Sequence, residues 1–335
     1  MPGSEAVPGL PKPRSGKGGC RVRRGLADVD MHTLLMLAAL AGPMLDAGRL
    51  SSTQGEDPLV LVQRGRRLVT DGKHAEAIVL YKQALAARPE LPEAHLAMGI
   101  VLDLMGRYGE ARDHLTTAIE NAPADLKANA LSAMAVSYVF ERRAADAAGF
   151  YQQVYDLDVD ANRPAGAAAT ANALGRLYLE TGDTRKARQW YETGYEMARR
   201  QPAEPASQLA LWELRWLHAQ GRIAAREGRA ADARRFVDEA RALVAKTPAL
   251  KDEGPTVAYL AGYVALYTGD VATARKELAT ASQTDPFNLM LMAEAAEKAG
   301  DAAAAKDYWS RILALNGHGI QHALSRPVAL RRLQK

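Results

Sequence analysis

Small, large and helix-breaking positions in residues 58–125 form one arrangement written twice. Gly72, Ala77, Tyr81, Ala84 and Pro89 return as Gly106, Ala111, Leu115, Ala118 and Pro123, each 34 positions later. A fixed period of this length predicts a helical solenoid, in which each unit buries its apolar face only against its neighbours.

The pattern continues in stretched form. Units beginning at 58, 92, 128, 168, 214, 255 and 286 are spaced by 34, 36, 40, 46, 41 and 31 residues. The extra residues carry turn signals: Asn162 to Gly166, Pro202 to Pro205, and Thr247 to Gly254. They are expected to lengthen connections or helix ends, and Gln208–Glu227 reads as one helix starting before its unit's nominal boundary. In the third unit Arg142 replaces the turn glycine and Val159 the closing proline. After residue 315 the chain turns through Asn316, Gly317, His318 and Gly319. It ends in an Arg-rich amphipathic helix, Ile320–Leu333, which is expected to cap the last repeat.

Each recurring position has a physical role. Gly99, Gly175, Gly221 and Gly262, with Ala77, Ala111, Ala187, Ala233 and Ala274, allow two helices to cross closely. Glycines 72, 106, 182, 228, 269 and 300 fall at the turn between helices, where positive φ costs least without a Cβ. Tyr81, Tyr151, Tyr191, Phe236 and Trp309 fill the space to the next unit. Pro89, Pro123 and Pro286 stop second helices.

These residues resemble the tetratricopeptide repeat family, over about 58–315. The resemblance implies an all-α fold, a right-handed α-α superhelix of about seven helix-turn-helix repeats with a C-terminal capping helix. It also implies that first helices line a concave groove holding a peptide or helix of another protein. The family's groove positions fall here on Val62 and Arg66, Leu96 and Ile100, Ser132 and Val136, Asn172 and Arg176, His218 and Arg222, and Tyr259 and Tyr263. Asp103, Arg226 and Tyr267 lie one turn on. Such a groove is apolar at repeats two and three, basic at four and five, and aromatic at six. Apolar and aromatic residues facing solvent mark interaction sites, and guanidinium groups favour carboxylates. The Lys/Asn carboxylate clamp of chaperone-binding relatives is not reproduced, and Asn172 with Arg176 is a partial echo.

Charge and composition narrow the classes. The net charge is +4, but residues 1–30 hold six basic and three acidic groups, leaving +1 for residues 31–335. The repeat region therefore makes no case for nucleic-acid binding by counterion release. The single cysteine, Cys20, lies in the leader, which excludes disulfides, Cys-ligated zinc and Cys nucleophiles from the rest. Residues 1–57 read as a leader and linker. Arg21, Arg23 and Arg24, the uncharged segment 33–45, and Ala39 and Ala41 before Gly42 have the order of a secretory signal. That segment is short of the ~20 residues needed to span a bilayer. Asp28, Asp30, Pro43 and an alternative start at Met31 leave two other readings: an N-terminal helix packed on the first repeat, and a cytoplasmic chain.

No phosphate loop, nucleophile elbow, H-E-x-x-H or C-x-x-C occurs. Asp156, Asp158 and Asp160 alternate as in a calcium loop. Ala161 and Ala167 stand where that loop needs glycine and glutamate, so a solvated inter-repeat turn is expected. His318 and His322 are four apart without a carboxylate or Cys nearby in sequence, which reads as a surface cap rather than a metal site. The expectation is a non-enzymatic scaffold binding proteins or peptides, with no cofactor and no membrane span in the mature chain. The alternative is a sensor module binding a small molecule or signalling peptide.

Overall fold

The computed structural model describes residues 56–200 and 206–334. The leader, with segment 33–45, Met31 and Cys20, lies outside these, as do Pro202 to Pro205. The described residues form fifteen α-helices, one short 3-10 turn (Pro248–Leu250) and no strand.

Seven helix pairs follow in order. They are α1 Pro58–Thr70 with α2 His74–Ala87, α3 Pro92–Leu104 with α4 Tyr108–Asn121, and α5 Ala124–Phe140 with α6 Ala144–Asp160. Next come α7 Pro164–Thr181 with α8 Thr184–Arg199, and α9 Ala206–Arg226 with α10 Ala230–Lys246. The last two pairs are α11 Gly254–Tyr267 with α12 Val271–Leu278, and α13 Pro286–Lys298 with α14 Ala302–Ala314. A single helix, α15 Ile320–Leu333, ends the described chain.

Local chemistry sets these boundaries. Pro58, Pro92, Pro164 and Pro286 sit in the first turn, where a missing N–H costs nothing. Asp183, Asp270 and Asp301 cap second helices by accepting a backbone N–H from three residues on. The six turn glycines have φ between 74° and 95°, and Arg142 takes the same left-handed conformation at φ 62°. At the crossings a Cβ on Gly99 would lie 2.6 Å from Leu115 Cγ, and one on Gly262 2.5 Å from Leu278 Cγ.

The extra residues of the stretched units went mainly into helices. First helices of the third, fourth and fifth pairs begin at 124, 164 and 206 rather than at the nominal 128, 168 and 214. Helix α9 has 21 residues against 13 in α1. Asp156, Asp158 and Asp160 lie on the last turns of α6, not on a solvated turn. Asp158 is buried and pairs with Arg163 at 2.9 Å.

Each helix packs on its chain neighbours, as the repeat physics requires. First helices also touch one another along α1–α3–α5 and along α9–α11–α13, but no comparable contact joins α7 to α5 or α9. The apolar interior divides accordingly. One large cluster spans α1 to α7, and another spans α9 to α14. Smaller clusters around Trp212 and around Tyr191 join α7, α8 and α9.

Helix α15 packs on α14, as a cap does, and also reaches α5, α7 and α13. It supplies Ile320 and Ala323 to the first large cluster and Ala329 to the second. The superhelix therefore curves enough for its last helix to cross its inner side.

Candidate functional site

Where α7 parts from its inner neighbours, a cavity of about 180 Å³ opens on the concave side. Its walls come from α7 (Asn172, Arg176), α8 (Tyr191), α9 (Trp212, Arg215, His218, Arg222), α11 (Thr256, Tyr259) and α13 (Phe287), with Glu253 and Asp285 at helix starts. Ile320 and Gln321 of α15 close the remaining side. Two of the walls meet directly across the curve. Arg176 Nη1 donates to the Tyr259 hydroxyl at 3.3 Å, and its guanidinium stacks 4.4 Å from the Phe287 ring centre. Side chains of helices this far apart in the chain meet only on the inside of a tight superhelix.

Arg222 is the unusual member. It is 2% exposed, its Nε donates to the His218 carbonyl at 3.3 Å and its Nη2 to the Tyr191 hydroxyl at 3.0 Å. Its Nη1 is buried with no hydrogen-bond partner. A buried guanidinium nitrogen left unpaired carries an uncompensated desolvation cost.

The neighbours keep the site cationic. Burial works against the charge of Arg176, but the Tyr259 and Tyr191 hydroxyls with Glu180 and Asp285 outweigh it and hold that guanidinium above the usual arginine value. Burial, then Arg222 and Arg176, pushes His218 well below the usual histidine value, so it is neutral and stacks on Tyr259 at 5.2 Å. Two carboxylates also line the cavity. Asp285 caps α13 by accepting the Asn288 N–H, and Glu253 accepts the Thr256 hydroxyl.

One turn along, Arg226 donates to the Tyr263 and Tyr267 hydroxyls at 3.3 Å and pairs with Glu180 at 3.5 Å. Glu294 faces this cluster. Burial first, then Glu180, pushes its carboxyl up to about 7.

Of the residues expected in the groove, Asn172, Arg176, His218, Arg222 and Tyr259 share this cavity, and Tyr263 lies in the adjoining cluster. The proximal residues lie elsewhere. Leu96 is buried against Leu115 and Met134, and Ile100 packs between two apolar clusters. Val136 belongs to the cluster that α15 enters with Ile320, and Val62 is buried with it. Arg66 is half-buried near Tyr81 and Glu93, where burial lowers its pKa. The apolar groove expected at repeats two and three is thus occupied by packing. Leucine and valine there meet neighbouring helices and the returning α15, and burying them against protein removes their area from water.

The histidines of the C-terminal turn do not form a surface cap. His318 Nε2 donates to Asp103 Oδ2 at 2.8 Å, both side chains being almost fully buried, and its ring lies 5.7 Å from that of Phe140. Ser137 donates to the other oxygen of Asp103 at 2.8 Å. Here the carboxylate is central, whereas a nucleophile-activating set needs histidine between serine and carboxylate. Among the described residues no group of three or more His, Cys, Asp or Glu is placed to hold a metal ion. No described helix is long and apolar enough to cross a membrane.

Sequence reasoning missed Tyr191 as a cavity residue, since its position marks it as inter-repeat packing. It also missed Ile320 and Gln321, for which no local signal existed.

Comparisons agree with this architecture. A family profile described as tetratricopeptide repeat matches residues 68–135, and a second with the same description matches 168–201. The solved structure of RapI in its apo form is similar with a TM-score of 0.54 and 14% identity, covering 83% of this chain and 98% of that one. A tetratricopeptide repeat protein from Parabacteroides merdae is similar with a TM-score of 0.51 and 14% identity, covering 84% and 98%. No curated protein matches the sequence. With the repeated crossings, turn glycines and helix pairs, these matches identify tetratricopeptide repeats at 68–135 and 168–201 within a solenoid of paired helices.

Proposed function

We propose that the protein binds a peptide or helix of a partner on the concave side of repeats four to six, with an acidic group of that partner directed into the Arg176–Arg222 cavity. The observation that carries this is Arg222, which lines the cavity, is 98% removed from solvent and has a buried Nη1 with no hydrogen-bond partner. A carboxylate oxygen supplies the acceptor such a donor lacks, in a charge-assisted bond stronger than a neutral one. Tyr267, exposed beside Arg226, extends the surface toward repeat six.

A random-peptide display library panned on the full-length chain tests this. Enrichment of peptides carrying Asp or Glu is expected from the wild type and its loss from Arg222→Gln, with far-ultraviolet dichroism unchanged. The same peptides recovered from both would sink the site. The small size of the cavity, about 180 Å³, favours a second reading, a sensor for a small organic acid. A thermal shift with succinate, and none with acidic peptides, selects that reading.

The order of basic, apolar and small residues in the leader supports a separate proposal, that the chain is exported. Fractionation of a C-terminally tagged chain tests it, and an uncleaved protein in the cytoplasm overturns it.

A further inference from the structure

The cavity lies on a seam. On one side α7 belongs with the proximal apolar cluster through Leu174 and Leu177. On the other, α9, α11 and α13 belong with the distal one. The outer layer bridges the seam through α8, whose Tyr191 and Met197 pack with both α7 and α9. In the inner layer it is crossed by side chains, Arg176 to Tyr259 and Phe287 and Arg226 to Glu180, rather than by close helix packing, since α7 makes no comparable contact with α5 or α9. Across this gap Arg176 of α7 and Arg222 of α9 line one cavity, with the Tyr191 and Tyr259 hydroxyls and neutral His218 among them and the carboxylates of Glu253 and Asp285 also in its wall.

One element spans the inner side. Helix α15 contributes buried side chains to both large clusters, and its Ile320 and Gln321 form a cavity wall. Its start is fastened to the proximal half by His318 on Asp103, whose second oxygen is held by Ser137. The connection at residues 315–319 contains Gly317 and Gly319, and α15 has no side-chain N-cap. The fit beneath it is imperfect, because the buried Nδ1 of His322 and Nε2 of His74 have no partner.

Resting on the anion-binding reading of the cavity, we infer that α15 is a clasp across the seam, and that a carboxylate bound between Arg176 and Arg222 acts cooperatively with it. An anion held by both guanidinium groups makes charge-assisted bonds to α7 and to α9 at once and so draws the halves together. The clasp does the same mechanically and completes the wall around the bound group. Two events that favour one closed state strengthen each other by equal factors. The carboxylate can belong to a free small acid or to a peptide side chain, and the two are separated by separate probes.

The test uses the full chain with succinate and with an octaglutamate peptide as probes. Titration calorimetry reads affinity, and amide hydrogen exchange reads segment 316–334. In the wild type a saturating probe should slow exchange in 316–334. In His318→Ala that segment should exchange faster without probe, and the probe should bind roughly tenfold more weakly, a coupling of ordinary size. Asp103→Asn, which keeps the shape of the side chain, is the second variant should His318→Ala not fold. Binding by succinate alone assigns a free acid, and binding by octaglutamate alone a peptide. Equal affinity in wild type and clasp variants, or unchanged exchange at saturation, overturns the clasp and leaves the cavity reading standing. Failure of both probes to bind the wild type overturns both.

Discussion

Repeats one and two differ from repeats four and five in one respect that makes room for a cavity. The first two pairs keep the 34-residue period, their helices have 13 or 14 residues, and their inner faces close on neighbouring apolar side chains. Helices α7 and α9 have 18 and 21 residues, and the inner layer separates between them. Nearest-neighbour packing survives the stretching, because consecutive helices still meet. What is lost is second-neighbour contact between first helices, and the space so created is lined with Arg176, His218 and Arg222. In a solenoid, regularity stabilises and irregularity makes room.

The largest effect tests whether the crossing geometry is intact at the seam. Ala187 is fully buried among Leu179, Tyr191, Ala219 and Ile223. Ala187→Glu combines overpacking with an unpaired buried charge and should cost about 4 kcal/mol or more in denaturant unfolding. A smaller effect is confined to the distal half. The Glu294 carboxyl is pushed up to about 7 from an ordinary 4.5, so its ionised form is disfavoured in the folded chain. The stability this group contributes is present in acid and is lost as pH rises from about 4.5 through 7. Glu294→Gln should therefore stabilise the protein at pH 8 by about 2–3 kcal/mol, with the gain gone below pH about 4.5. Thermal melts across that range check the sign.

The glycine crossings sharpen the comparison further. Gly99→Ala and Gly262→Ala meet Leu115 and Leu278 well inside contact distance and should each cost about 1–3 kcal/mol. Gly221→Ala, in α9, meets Leu260 Cδ1 of α11 at 3.0 Å, the end of a flexible side chain, and should cost measurably less. Equal costs at all three positions would remove the distinction between tight and looser crossings. The smallest effect is at Arg142, held at φ 62° where the other repeat turns have glycine. Arg142→Gly relieves that conformation, partly offset by a more flexible unfolded chain, and should stabilise by about 0.5–1 kcal/mol.

Much of the architecture was legible because repeat packing is local. Gly99 against Leu115 and Gly175 against Tyr191 are contacts within one unit, so their spacing in the chain is also their geometry in space. Five cavity residues, Asn172, Arg176, His218, Arg222 and Tyr259, were legible because the family's groove positions follow the same register. The apolar groove positions were less informative. A leucine or valine on a first helix reads alike whether it faces a partner or another helix, and Leu96 and Val136 pack inside.

The sequence by itself determined the helix pairs, their turns and their crossings, because each depends on residues at most one repeat apart. Only the tertiary structure decided where the two ends meet. His318 finds Asp103 across 215 positions, and Ile320 lines a cavity built by repeats four to six, because small rotations between successive units accumulate into curvature. No single spacing in the chain records that sum, and it is what turns a C-terminal cap into a wall of the cavity.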